Sequence, residues 1–244
     1  MKENNSYHNH VKHYQLDGEY YDFFSPDKFV LQEIRRRYQQ IFRLFPAKSH
    51  HKILEIGSGG GFALENLRNT KPFFVPLDIP TVNLLKMKSS SPFSFHPCSA
   101  DAYNLPFDNS SFDLVLLLEV IEHLADPRQA LCEIHKILKS DGLLTISVPY
   151  NEKISYQICI HCNKPTPTHS HLHSFDENSL KDLLVSAGFE TVKMIKICNK
   201  IPNRLHFNIL ARNLPFSVWK WIDGLFNRLV DKPISLIGVG QKMG

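Results

Sequence analysis

Several signatures that would assign a chain at a glance are missing. There is no G-x-x-x-x-G-K-S/T string, which excludes a P-loop. No apolar run approaches the roughly 20 residues that cross a membrane as a helix, and Met1-Lys-Glu-Asn-Asn-Ser does not open a signal peptide. Neither sign of charge dominates: 28 Lys and Arg stand against 24 Asp and Glu, a net +4. That surplus leans on clusters such as Arg35-Arg36-Arg37 and is too mild to point to nucleic acid. Five cysteines, an odd number in 244 residues, make no disulfide framework, so the expected setting is a reducing cytoplasm. Internal repeats and low-complexity tracts are also absent.

What is present is organised around Ile53-Leu-Glu-Ile-Gly-Ser-Gly-Gly-Gly-Phe-Ala-Leu64. Lys52 to Ile56 read as a short buried strand; Phe62, Ala63, Leu64 and Leu67 then recur at helical spacing. A strand, a glycine turn and a helix N-terminus make a nucleotide-cofactor site, because free N–H groups face the ligand. The spacing is G-x-G-x-G, with Phe62 where a dinucleotide fingerprint needs its last glycine. Glu55, just before the turn, would repel a pyrophosphate and suits a cationic or zwitterionic cofactor better.

This stretch resembles motif I of the class I S-adenosylmethionine-dependent methyltransferases, and the resemblance continues to about residue 190. It implies an α/β, doubly wound, mostly parallel seven-stranded sheet whose last strand is antiparallel. A second strand, Phe73–Leu77, ends at Asp78, placed to accept from both ribose hydroxyls of either NAD or S-adenosylmethionine. A third apolar stretch, Phe93–Pro97, leads to Asp101-Ala102. That pair resembles the methyltransferase adenine site, which a dehydrogenase would not need. Next come a central strand, Phe112–Leu118, a helix from Pro127, a strand Leu143–Val148, a helix capped by Asp176, and strands Phe189–Cys198 and Ile234–Val239. The cadence after the adenine site resembles the broad group that includes ubiquinone-biosynthesis O-methyltransferases. The implied cofactor contacts are Glu55, Gly57, Ser58, Gly59 and Gly61 at the amino-acid end, Asp78 and Ile79 at the ribose, Asp101 and Ala102 at the base, and Glu119.

The whole chain, 1–244, is expected to form one methyltransferase domain. Its departures from the family pattern are a lead-in and helix (1–46), a Cys/His insertion (150–175) and an amphipathic helical insertion (199–232). The aromatics of residues 1–25 are either a loose lead-in or a flap over the site. Glu119-Val-Ile-Glu-His123 would put Glu119, Glu122 and His123 on one helical face. His123 is the candidate general base, and similar E-x-x-E-H clusters bind a divalent cation in ubiquinone-pathway and small-RNA methyltransferases. His173, in a His-x-His-x-Phe string resembling a family segment that faces the acceptor, is a second catalytic candidate. Cys159, Cys162, His169 and His171 have the ligand types of a zinc site. On 216–230, Phe216, Trp219, Ile222, Leu225, Phe226 and Leu229 form an apolar stripe opposite Lys220, Asp223, Asn227 and Arg228. It would pack on the domain or meet a membrane or lipid-linked acceptor. The expected function is methyl transfer from S-adenosylmethionine to oxygen or nitrogen of a small-molecule or lipid- or glycan-linked acceptor; the alternative is a catalytically silent cofactor-binding partner module.

Overall fold

A computed structural model describes residues 7–91, 93–159, 163–204 and 206–243. The strands are β1 (Lys52–Ile56), β2 (Phe73–Asp78), β3 (Cys98–Ser99), β4 (Phe112–Leu118), β5 (Leu138–Pro149), β6 (Tyr156–Ile158), β7 (Pro165–Pro167), β8 (Phe189–Asn199) and β9 (Pro233–Lys242). Seven of them form one sheet in the order β3-β2-β1-β4-β5-β9-β8, and β6 and β7 make a separate hairpin. β1 pairs in parallel with both β2 and β4, while β9 runs antiparallel to both its neighbours. This is the doubly wound sheet with an antiparallel last strand. β3 is shorter than the Phe93–Pro97 stretch suggested: pairing with β2 begins only at Cys98, just past Pro97, which has no N–H to donate.

The helices are α1 (Tyr7–Tyr20), α2 (Lys28–Leu44), α3 (Ala63–Leu67), α4 (Thr81–Ser90), α5 (Pro127–Ile137), α6 (Glu177–Ser186), α7 (Lys200–Arg204), α8 (Phe207–Leu210) and α9 (Phe216–Leu229). Their starts follow local chemistry. Asp27 accepts from the backbone of Phe29 and Val30, Asp126 from Gln129, and Asp176 and Ser179 form a reciprocal capping box. Successive strand residues alternate between two cores. Leu54, Ile56, Val75, Val115 and Leu117 face α5 and α6, whereas Ile53, Phe74, Leu114 and Leu116 face α2, α3 and α9. Glu55 points to the second side and is fully buried.

Two sequence expectations change here. Arg36 and Arg37, counted above in a charge cluster, are buried. The Arg36 guanidinium donates to the carbonyls of Ala211 (2.7 Å) and Leu214 (3.3 Å) and lies 5.0 Å from the Trp219 ring, so it pins the segment that leads into α9.

The second change is the orientation of α9. The expected apolar stripe does not all face inward. Trp219 and Phe216 are buried, but so is Asp223 of the expected polar face, whereas Leu225 and Leu229 are exposed. The cause is the end of β8. Asp223 accepts from the backbone N–H groups of Cys198 (3.2 Å) and Asn199 (2.9 Å), which have no other way to be satisfied so deep in the protein. Asp223→Ala should therefore cost about 2–4 kcal/mol of stability, read from the chemical denaturation midpoint, with Asp223→Asn recovering part. A loss below about 1 kcal/mol would mean that apolar packing alone holds α9.

Candidate cofactor and acceptor site

The chain leaves β1 at Ile56 and reverses at once. Gly57 sits at φ +72°, and a Cβ there would lie 2.4 Å from Val120 Cγ2, so only glycine fits. Gly57 N and Ser58 N both donate to Leu77 O, which ties the turn to the end of β2. One residue on, Asp78 is held from two directions: Gly59 N donates to Oδ2 (3.0 Å) and Ile79 N to Oδ1 (2.9 Å). Burial outweighs these bonds and pushes the Asp78 carboxyl up to about 6. At the next strand end Asp101 is buried and accepts from Tyr103 N (3.1 Å), with Ala102 buried beside it.

These strand ends open on a cavity of about 590 Å³. Gly57, Ser58, Gly59, Asp78, Ile79, Asp101, Ala102 and Glu119 all line it. Glu55 and Gly61 are not among its lining. Glu55 lies beneath the turn, where the Tyr38 hydroxyl donates to its Oε1, and burial raises it to about 8, so it supports the loop from below. Gly61 backs on Met87, and Gly60 takes the expected place in the wall. The roof comes from the N-terminal segment. His13, Tyr14, Asp17, Tyr21 and Phe23 line the cavity, with the Tyr14 ring 6.3 Å from that of His123. α2 adds Arg37 and Tyr38, which sequence reasoning missed because an arginine on an apolar stripe signals solvent, not a pocket.

The far wall is built by the turn after β4. Glu119, Glu122 and His123 do not share a helical face. Glu119 adopts φ +54°, and only Ile121–His123 form a single tight turn. Glu119 Oε1 accepts from Ser147 Oγ (2.9 Å) and sits 3.5 Å from the Arg37 guanidinium, while Glu122 turns inward and is buried. Leu172 N and His173 N both donate to Glu122 O, so the 168–175 segment is stitched onto this turn. That brings His171 against His123, ring centroids 4.7 Å apart, with His171 Nδ1 on the Glu152 carboxylate. His169, at φ +62°, and Ser170 line the cavity. His173 is not among the lining: its Nε2 bonds to Leu124 O (2.8 Å), the carbonyl of a lining residue.

Desolvation, reinforced by His171, lowers His123 to about 4, leaving a neutral imidazole at neutral pH. Glu122 is driven well above the usual carboxylate range by burial and by Glu119 beside it, and neither of its oxygens has a hydrogen-bond partner. Ligand atoms of Glu122, His123 and His171 lie within 4.8 Å of one another, and this is the group with metal-ligand spacing among the described residues. An unpartnered carboxylate, two imidazoles and a carboxylate orienting one of them suit a divalent cation. Of the expected Cys159–Cys162–His169–His171 set, Cys162 lies outside the described residues, and among the described ones His171 stands with Glu122 and His123.

A glycine turn at the point where strand order reverses, carboxylates at the next two strand ends and a roof of N-terminal aromatics define the cofactor crevice of a class I S-adenosylmethionine-dependent methyltransferase domain. Residues 28–194 match the family model described as "Methyltransferase domain", and the chain belongs to that family. A Mycobacterium tuberculosis protein named a probable S-adenosylmethionine-dependent methyltransferase is 28% identical over 171 residues, 69% of this chain and 60% of its own. The ubiquinone biosynthesis O-methyltransferase of Ruegeria pomeroyi is 30% identical over 152 residues, 58% of this chain and 60% of its own. The chain thus spans about three-fifths of the curated relatives it matches. Among solved structures, the Burkholderia thailandensis 1,6-didemethyltoxoflavin-N1-methyltransferase, with S-adenosylhomocysteine bound, superposes with a TM-score of 0.61 at 17% identity, covering 96% of this chain and 85% of the other. At that identity the likeness is one of fold.

Asp78 gives the site a pH dependence with a definite sign. Its carboxyl is raised to about 6, so below that pH a ligand donating two hydroxyls must first displace a proton. Affinity for S-adenosylhomocysteine should hold above pH 6 and fall about tenfold per pH unit well below it. Calorimetric titration between pH 5 and 8 checks this; an unchanged slope in Asp78→Asn would remove Asp78 from the ribose contact.

Proposed function

We propose that this chain transfers the methyl group of S-adenosylmethionine to an oxygen or nitrogen atom of a small or lipid- or glycan-linked acceptor, with oxygen favoured. The observation that carries the preference is His123: neutral, set in the cavity wall and beside the unpartnered Glu122 carboxyl. S-adenosylmethionine supplies a methyl already activated on a sulfonium, so the chain need mainly orient the acceptor and take up its proton. The turn from Gly57 to Gly60 receives the amino-acid end, Asp78 accepts from the ribose, and Asp101 with Ala102 reads the base. Tyr14, Tyr21 and Phe23 exclude water from the crevice. His123 receives the hydroxyl or amine proton, its Nδ1 lying 3.3 Å from Ser170 O and setting the ring's direction. A divalent cation held by Glu122, His123 and His171 would occupy the His123 lone pair and act in place of that base, lowering the pKa of an acceptor hydroxyl so that its proton leaves to solvent, which is the second reason to favour oxygen.

Two experiments test the reading. The chain should bind S-adenosylhomocysteine with micromolar affinity, and Gly59→Val, at a backbone φ of +46°, should abolish that binding. Absence of binding by the parent chain would end the proposal. With tritiated S-adenosylmethionine and a panel of phenols, catechols and amines, His123→Asn should lower turnover about 10²–10⁴-fold while leaving S-adenosylhomocysteine affinity intact.

The cation has its own readout. Titration of chelator-treated protein with zinc or manganese should show one site per chain, tighter as pH rises because ligands must lose protons. Glu122→Ala should remove it. Zinc retained in that variant would move the site to Cys159 and Cys162.

A further inference from the structure

The orientation of α9 leaves an apolar face with nothing on it. Val218, Trp221, Leu225 and Leu229 recur at spacings of three, four and four, on the side opposite the buried Phe216, Trp219 and Asp223. All four are exposed, Trp221 and Leu229 to 71% each. Single exposed apolar residues are ordinary, but a continuous helical row of them marks a contact surface. The helix is anchored to the protein by its polar side, through Asp223, and shows its apolar side outward.

Charge selects what meets that face. Residues 200–232 carry six cations, Lys200, Arg204, Arg212, Lys220, Arg228 and Lys232, against two carboxylates, Asp223 and Asp231. The surplus of four equals the net charge of the whole chain, so the remainder is neutral. Both carboxylates are already engaged: Asp223 is buried under backbone N–H groups, and Asp231 is bound by Lys196 at 2.9 Å. Lys200, Arg204, Arg212, Arg228 and Lys232 are exposed. A second copy of this chain would bring like charges together across the same patch. An anionic bilayer accepts both halves of the pattern: lipid headgroups take the cations, and the tryptophan and leucines enter the boundary with the acyl chains. No described helix is long and apolar enough to cross a membrane, so the contact is one of lying on the surface.

We infer that α9 and the basic segment around it dock this chain on an anionic lipid surface. The inference does not rest on methyl transfer. It does imply that an acceptor carried in the bilayer reaches a chain already held there.

Co-sedimentation with sucrose-loaded vesicles tests it. The chain should pellet with phosphatidylcholine vesicles containing about one-third phosphatidylglycerol, not with phosphatidylcholine alone, and be released as salt rises. The triple variant Trp221→Ser, Leu225→Ser, Leu229→Ser, whose changes lie on the exposed face, should keep its thermal midpoint and lose about tenfold or more of the vesicle affinity. Arg212→Ala with Arg228→Ala should lower it about tenfold as well. Failure of the parent chain to pellet with anionic vesicles would overturn the inference, as would undiminished pelleting of the triple variant. So would a lipid-free dimer, seen by ultracentrifugation and dissolved by the triple variant, in a chain that ignores vesicles.

Discussion

The contact between Gly57 and Val120 is where the two halves of the molecule meet. β1 hands the chain to β2 on one side, while β4 lies on the other, so a crevice opens beyond their ends. Without a Cβ, Gly57 lets the turn after β1 come against the turn after β4. A side chain there would push the two apart and move both the backbone N–H of Gly59 from Asp78 and the Glu119–His123 turn from its place. The glycine turn and the Glu119–His123 turn are therefore set by one close approach.

A second constraint comes from α2, where three consecutive side chains tie down three different parts. Arg36 holds the carbonyls ahead of α9, Arg37 reaches Ser235 and Glu119, and Tyr38 donates to Glu55 beneath the glycine turn. Arg36, Arg37 and Tyr38 are buried, and so are Ala211, Ser235 and Glu55 among their partners, so removing either member of those pairs would leave the other desolvated and unpaired. The helix that covers the sheet thus also couples the cofactor loop, the far wall and the exposed α9 through hydrogen bonds. A buried arginine in this position contributes position more than net stability.

Much of this was legible before any coordinates. The alternating or continuous apolar runs named β1, β2, β4 and β5, because a strand covered on both faces has no choice but to be apolar. The Asp176 cap named a helix start from local hydrogen bonding alone. Gly57 and Asp78 were singled out because each stands at a strand end, where a parallel sheet presents its ligands, and Asp101 because of the family resemblance. Glu55 and Gly61 stand behind the cavity lining: the period of a strand says that Glu55 shares a face with Ile53, but not whether the space beyond that face holds a ligand or a helix. His173 and the cysteines were read from spacing in a segment whose path is set by two backbone bonds to Glu122, and no spacing encodes those.

The sequence by itself determined the main strands and the carboxylates that follow them, because those are matters of short-range periodicity and local chemistry; the doubly wound arrangement of the sheet was implied only by the family resemblance. Tertiary structure alone decided which faces are inside. Asp223 turned α9 by satisfying two amides at the end of β8, and Arg37 entered the cavity wall because Ser235 and Glu119 lie there to receive it. It also decided that His171 stands beside Glu122 and His123. These outcomes join residues far apart in the chain, and their energies come from desolvation and hydrogen bonding that exist only once the distant partner has arrived.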